Sequence, residues 1–167
     1  MSPEFCAALL SWAVTLSGYP NPGTCPEVVV VDHAYLEEHA CSGHSCRVLG
    51  WYPSEGHRVY LDQRLNDDLE GNIYASSILL HEFVHYLQWT NHKLDNFNCS
   101  LAVDAEREAY AVQRQYTDQF GTYVPVGQAV NTFHCEGVAS VETEPAEVLE
   151  RTDGQATVTA RRWVSGD

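Results

Sequence analysis

Ser77–Trp89 reads SILLHEFVHYLQW, and the rest of the chain is organised around this stretch. It holds the pattern H-E-x-x-H at His81, Glu82 and His85 within an apolar run of helical length. Residues four apart on a helix project from one face, so both imidazoles can reach a single metal ion, with Glu82 beside it. Neutral imidazole is a good zinc ligand, and a carboxylate next to the metal can take a proton from water without being a ligand itself. Ile78, Leu79, Leu80, Phe83, Val84 and Leu87 surround the histidines, so the helix is expected to be buried on most sides, where histidines need partners. The competing use of the same residues is a hydrogen-bonded core network.

Outward from the motif, Asn72 is a suitable cap for a helix running from Ile73 to about Thr90. A loop over 91–98 follows, with His92 and Asp95 among its polar members. Beyond it Ala102, Ala105, Ala109, Val112, Tyr116 and Phe120 recur at steps of three and four until Gly121, which predicts a second helix whose alanines permit close approach to the first. That helix contains Glu106-Arg-Glu-Ala-Tyr110. Glu106 and Glu108 point about 200 degrees apart, so at most one can meet the metal, and periodicity does not choose between them.

These two helices resemble the gluzincin group of zinc metallopeptidases, in which a helix with H-E-x-x-H is followed, after a loop, by a helix contributing a glutamate ligand. Glu106-Arg-Glu-Ala-Tyr110 is similar to the group's E-x-x-A-D variant, with Tyr110 where the aspartate often stands. The resemblance covers roughly residues 57–121. It implies an α+β, zincin-like fold in which a small β-sheet packs against the motif helix and the glutamate-bearing helix. It further implies one zinc per chain held by His81, His85 and Glu106, Glu82 as the catalytic base, and a peptide or protein substrate. An aspartate at 110 typically orients a ligand histidine, and a phenol there does so more weakly or takes another role. A tetrahedral oxyanion also needs a hydrogen-bond donor, for which Tyr86, Tyr110, Tyr123 and His134 are candidates. His134 is preferred, because pairing of Cys99 with Cys135 would hold it near the loop after the motif helix.

Upstream, Ser2-Pro3 caps a stripe of Phe5, Leu9, Trp12 and Leu16 that predicts an amphipathic helix over 3–17. Tyr19–Pro26 reads as a loop and Glu27–Asp32 as a short buried strand, and His33–Ala40 adds a helical turn. His33, His39 and His44 are read as surface histidines outside the site. Arg47–Tyr52 and His57–Asp62 are two strands joined by the turn-rich Pro53–Gly56, with Val59–Leu61 a candidate edge for an extended substrate.

The chain has 167 residues, 44% of them hydrophobic, enough for a buried core. Its formal charge of −14, from 23 acidic against 9 basic residues, argues against nucleic acid and anionic membrane surfaces as partners. No uncharged apolar run reaches the length of a membrane span, and the start lacks the basic region of a signal peptide. Six cysteines without C-x-x-C spacing point to disulfides, with 41–46, 99–135 and 6–25 the favoured pairs among the 15 possible ones. Such usage implies a secreted or periplasmic setting. Residues 1–137 are read as one minimal domain, and 138–167 as an acidic extension, either a strand or a mobile tail. The alternative to a peptidase is a catalytically weak or inactive zinc-binding, disulfide-stapled domain acting through a protein partner.

Overall fold

Capping residues set the helix boundaries. The computed structural model describes residues 1–53, 57–95, 98–132 and Cys135; His134 and the 138–167 extension lie outside the described residues. Helix α1 (Pro3–Ser17) opens with Ser2 Oγ accepting from the Phe5 amide and with proline in its first turn, and ends at Gly18 in the left-handed region. Helix α3 (Ile73–Thr90) begins where Asn72 Oδ1 accepts from the amides of Tyr74 and Ala75. Helix α4 (Cys99–Gln119) is capped by Asn98 and stops just before Gly121, whose φ is +66°. Among the described residues two short α-helices, α2 (His33–His39) and α5 (Gln128–Thr132), complete the set.

The fold is mixed α+β, with a three-stranded sheet in the order β1-β3-β2. Strand β1 (Glu27–Val31) runs parallel to β3 (Arg58–Asp62), and β2 (Gly50–Trp51) runs antiparallel to it, with Gly50 opposite Leu61. Two expectations change as a result. Val59–Leu61 lies in the central strand, so it is no substrate edge; β1 and β2 are the edges. Glu27–Val31 is a strand but not a buried one, since Val30 is exposed and its neighbours are only partly covered. A hairpin is legible locally, whereas the parallel pairing that fills the other side of β3 needs a distant segment and a crossover.

The sheet separates two apolar layers. Val59 and Leu61 face a core built with Leu9, Leu79, Phe83, Val84, Leu87 and Ala109 from α1, α3 and α4. Each fully buried Leu, Val or Phe side chain there stabilises by about 1.5–3 kcal/mol. Trp51 and partly buried Tyr60 pack on the other side with Leu36, Ala40 and Val48, beneath α2. The three expected disulfides form: Cys6–Cys25, Cys41–Cys46 and Cys99–Cys135. They are compatible with an oxidising compartment. No described helix is long and apolar enough to cross a membrane.

Candidate metal centre

The site is made by the packing of α3 on α4. Small residues let the helices approach, with Ala105 and Ala109 both buried. Polar bridges then fix their register: Gln113 Nε2 donates to Ser77 Oγ over 3.1 Å, and the hydroxyls of Ser76 and Tyr116 lie 3.1 Å apart. This register sets Glu106 of α4 opposite the histidines of α3.

His81 Nε2 and His85 Nε2 are 3.1 Å apart, and each lies 3.3 Å from an oxygen of the Glu106 carboxylate. Among the described residues this is the only group of three or more His, Cys, Asp or Glu side chains whose donor atoms converge in this way. Nitrogen and oxygen ligands at about 2.0–2.2 Å from a tetrahedral zinc lie about 3.3–3.6 Å apart, close to the 3.1 and 3.3 Å separations of this cluster, so the spacing is compatible with that ion. His81 is 1% exposed, and Glu106 Oε2 is buried beside its Nε2, 3.3 Å away. Lone pairs from three such groups repel one another unless a positive charge sits among them. Burial works against a charge on His85, yet the Glu106 carboxylate, Glu82 and the bond to Gln88 raise its pKa from 6.5 to about 9. Burial also disfavours the Glu106 carboxylate, but the charge of His85 and the hydrogen bonds from both histidines hold it far below the ordinary carboxylate range.

Glu82 follows His81 on α3 and is 2% exposed. Strand β2 runs against it, and a Cβ on Gly50 would come within 2.8 Å of Glu82 Oε1. Close approach therefore requires glycine at 50. The ring of Tyr110 lies on His81, with centroids 4.5 Å apart. Gly127, at φ +73°, backs onto Tyr110, and any Cβ there would collide with Tyr110 Cγ. Arg114 Nη1 donates to the Val126 carbonyl over 2.9 Å and so ties this segment to α4.

The model of a domain of unknown function, DUF6647, matches residues 1–138. The chain belongs to that family. No curated protein and no solved structure matches it. The DUF6647 match includes all three disulfides, both long helices and the whole His81–His85–Glu106 cluster.

Of the residues singled out in the sequence, His81, His85, Glu106 and Tyr110 come together, and Glu82 lies within electrostatic reach of His85. Glu108 turns away to Gln88, Lys93 and Tyr19, and Glu106 is the glutamate that faces the histidines. Tyr86 is not a donor for this site, because its hydroxyl donates to the Thr24 carbonyl. Tyr123 is 78% exposed, and His134 lies outside the described residues. His33 bridges Asp62 Oδ2 at 2.8 Å and the Cys46 carbonyl at 2.9 Å, apart from the cluster. Gln88 and Gly50 were not singled out. Gln88 had a signal, standing one helical turn after His85 on the same face; Gly50 had none without the tertiary fold.

Proposed function

We propose that the chain is a zinc-dependent metallopeptidase with a zincin-like arrangement of sheet and helices. The observation that supports this reading most is the convergence of His81 Nε2, His85 Nε2 and the Glu106 carboxylate at zinc-ligand spacing, with Glu82 next in sequence to His81. His81, His85 and Glu106 would hold the ion. Bound there, zinc supplies Lewis acidity, which acidifies water and polarises a carbonyl oxygen. The chain's own residues do the rest. Glu82 Oε1 or Oε2 takes a proton from the attacking water and returns it to the departing amine. Gly50 lets the β2 backbone lie against that carboxylate, which holds the base close to the sheet. β2, as the edge strand at Glu82, offers an extended peptide a place to pair.

The test is zinc stoichiometry together with hydrolysis of a broad peptide library by the wild type and Glu82→Gln. One zinc per chain in both is expected, with hydrolysis in the variant reduced by about 10²–10⁴-fold, the usual contribution of a general base. Equal hydrolysis by the two proteins overturns the role of Glu82. Bound zinc without any wild-type hydrolysis would instead favour a zinc-binding domain that acts through a partner.

A further inference from the structure

The two histidines of the cluster differ in what holds their outer nitrogen. His81 Nδ1 is buried and finds no hydrogen-bond partner among the described residues. His85 Nδ1 lies 2.8 Å from Gln88 Oε1. Gln88 is fully buried, and its amide nitrogen sits 3.0 Å from the Ala105 carbonyl and 3.0 Å from Glu108 Oε2. A carbonyl and a carboxylate can only accept, so the amide NH₂ must face α4 and Oε1 must face His85. Oε1 in turn only accepts. The proton of a neutral His85 therefore belongs on Nδ1, and its lone pair on Nε2, the atom in the cluster. Glu108 is itself anchored, by Lys93 Nζ at 2.6 Å and the Tyr19 hydroxyl at 3.0 Å.

We propose that Gln88 is a positioning residue: it fixes His85 in the tautomer that offers Nε2 to the metal, and the Glu108 anchor keeps its amide from turning over. This rests on the reading of His81, His85 and Glu106 as a metal site. The competing role for Gln88 is a plain strut between α3 and α4. Gln113 supplies the control, since it is also a buried amide bridging the two helices, and its hydrogen bond goes to Ser77 rather than to a histidine of the cluster.

The experiment measures zinc dissociation constants for wild type, Gln88→Met and Gln113→Met by competition with a chromophoric chelator. Nitrogen-detected NMR of the His85 ring in the zinc-loaded wild type accompanies it. Gln88→Met is expected to weaken zinc binding by about 10–100-fold, the range found when the outer partner of a ligand is removed. Gln113→Met removes one bridge between α3 and α4 but leaves that of Ser76 and Tyr116 to hold the register, and is expected to weaken zinc binding far less than Gln88→Met does. In the wild type the NMR should show zinc on Nε2 and a slowly exchanging proton on Nδ1 of His85; this needs no variant to fold. Zinc on Nδ1, or equal zinc affinity for Gln88→Met and wild type, overturns the role of Gln88 while leaving the metal site standing. A wild type that binds no zinc overturns both.

Discussion

His81 and His85 stand one turn apart on the same helix, yet opposite means hold them. On the His81 side an aromatic ring lies against the imidazole, with Gly127 backing the ring, and Nδ1 makes no hydrogen bond to any described residue. On the His85 side a chain of hydrogen bonds runs from Nδ1 through Gln88 to Glu108, Lys93 and Tyr19. The first arrangement restrains the ring by shape, and the second also decides where its proton sits. Tyr110 occupies the place where the resemblance to gluzincins leads one to look for an orienting carboxylate. On the proposed reading, the ligand set has polar orientation on one histidine only, and packing confines the other.

Removing the metal should produce the largest effect and sharpen the contrast in charge. At a zinc concentration about 1,000-fold above its dissociation constant, binding to the native state alone adds about 4 kcal/mol, so chelation should lower the melting temperature by many degrees. The metal-free protein should also respond to pH. Its His85 has a folded pKa of about 9, above the ordinary 6.5, so the stabilisation from its pair with Glu106 is complete below 6.5 and is lost as pH rises through about 9. Glu106, with its pKa depressed in the folded state, loses its contribution only in acid, below the ordinary 4.5. Melting scans of metal-free protein should therefore fall between about pH 6.5 and 9, with the gap to zinc-loaded protein widening over that window. A flat metal-free profile would mean that no proton bridges His85 and Glu106.

The His81 side should fail next, through packing. Tyr110→Ala removes the ring from His81, and its partial exposure places the cost toward the low end for large-to-small changes, about 2–3 kcal/mol. Zinc affinity should fall with it, because His81 gains freedom. Tyr110→Phe keeps the ring and should retain most of the stability and affinity that Tyr110→Ala loses. Denaturant melts and zinc titrations of the pair decide the matter: if Phe behaves like Ala, the hydroxyl rather than the ring holds the site, and the contrast between the two histidines collapses.

Much of this was legible in local pattern. Asn72 and the apolar run bound α3, and the four-residue spacing of His81 and His85 needs only a helix to become a site. The favoured cysteine pairs all form, two of them joining residues that lie 5 and 19 apart in sequence. What stayed hidden depends on contacts between distant segments. The central place of β3 follows from pairing Glu27 with Arg58, which no hairpin pattern announces. Glu106 and Glu108 flank the same apolar stripe at similar angles, and only Gln88, Lys93 and Tyr19, from outside α4, show which of them turns away. Gln88 itself stands at helical spacing from His85, but its amide orientation is set by an acceptor on each of two α4 residues.

The outer end of the His85 network supplies the smallest effect and the finest test. Lys93 and Glu108 form a close pair, 2.6 Å apart, but their side chains are 39% and 25% exposed, so water and salt screen the attraction. Tyr19 also donates to Glu108, and Gln88 keeps its second acceptor at Ala105 when Lys93 is truncated. Lys93→Met should therefore cost less than about 1 kcal/mol, and the difference from wild type should shrink as salt is raised toward 1 M. Denaturant unfolding at low and high salt, paired with zinc titrations, measures both. If the amide orients His85, zinc affinity should barely move in Lys93→Met, because Gln88 still faces two acceptors. A loss comparable to that of Gln88→Met would show instead that charge delivered from the surface controls His85, and the difference between the two histidines would then be one of electrostatics rather than of hydrogen-bond direction.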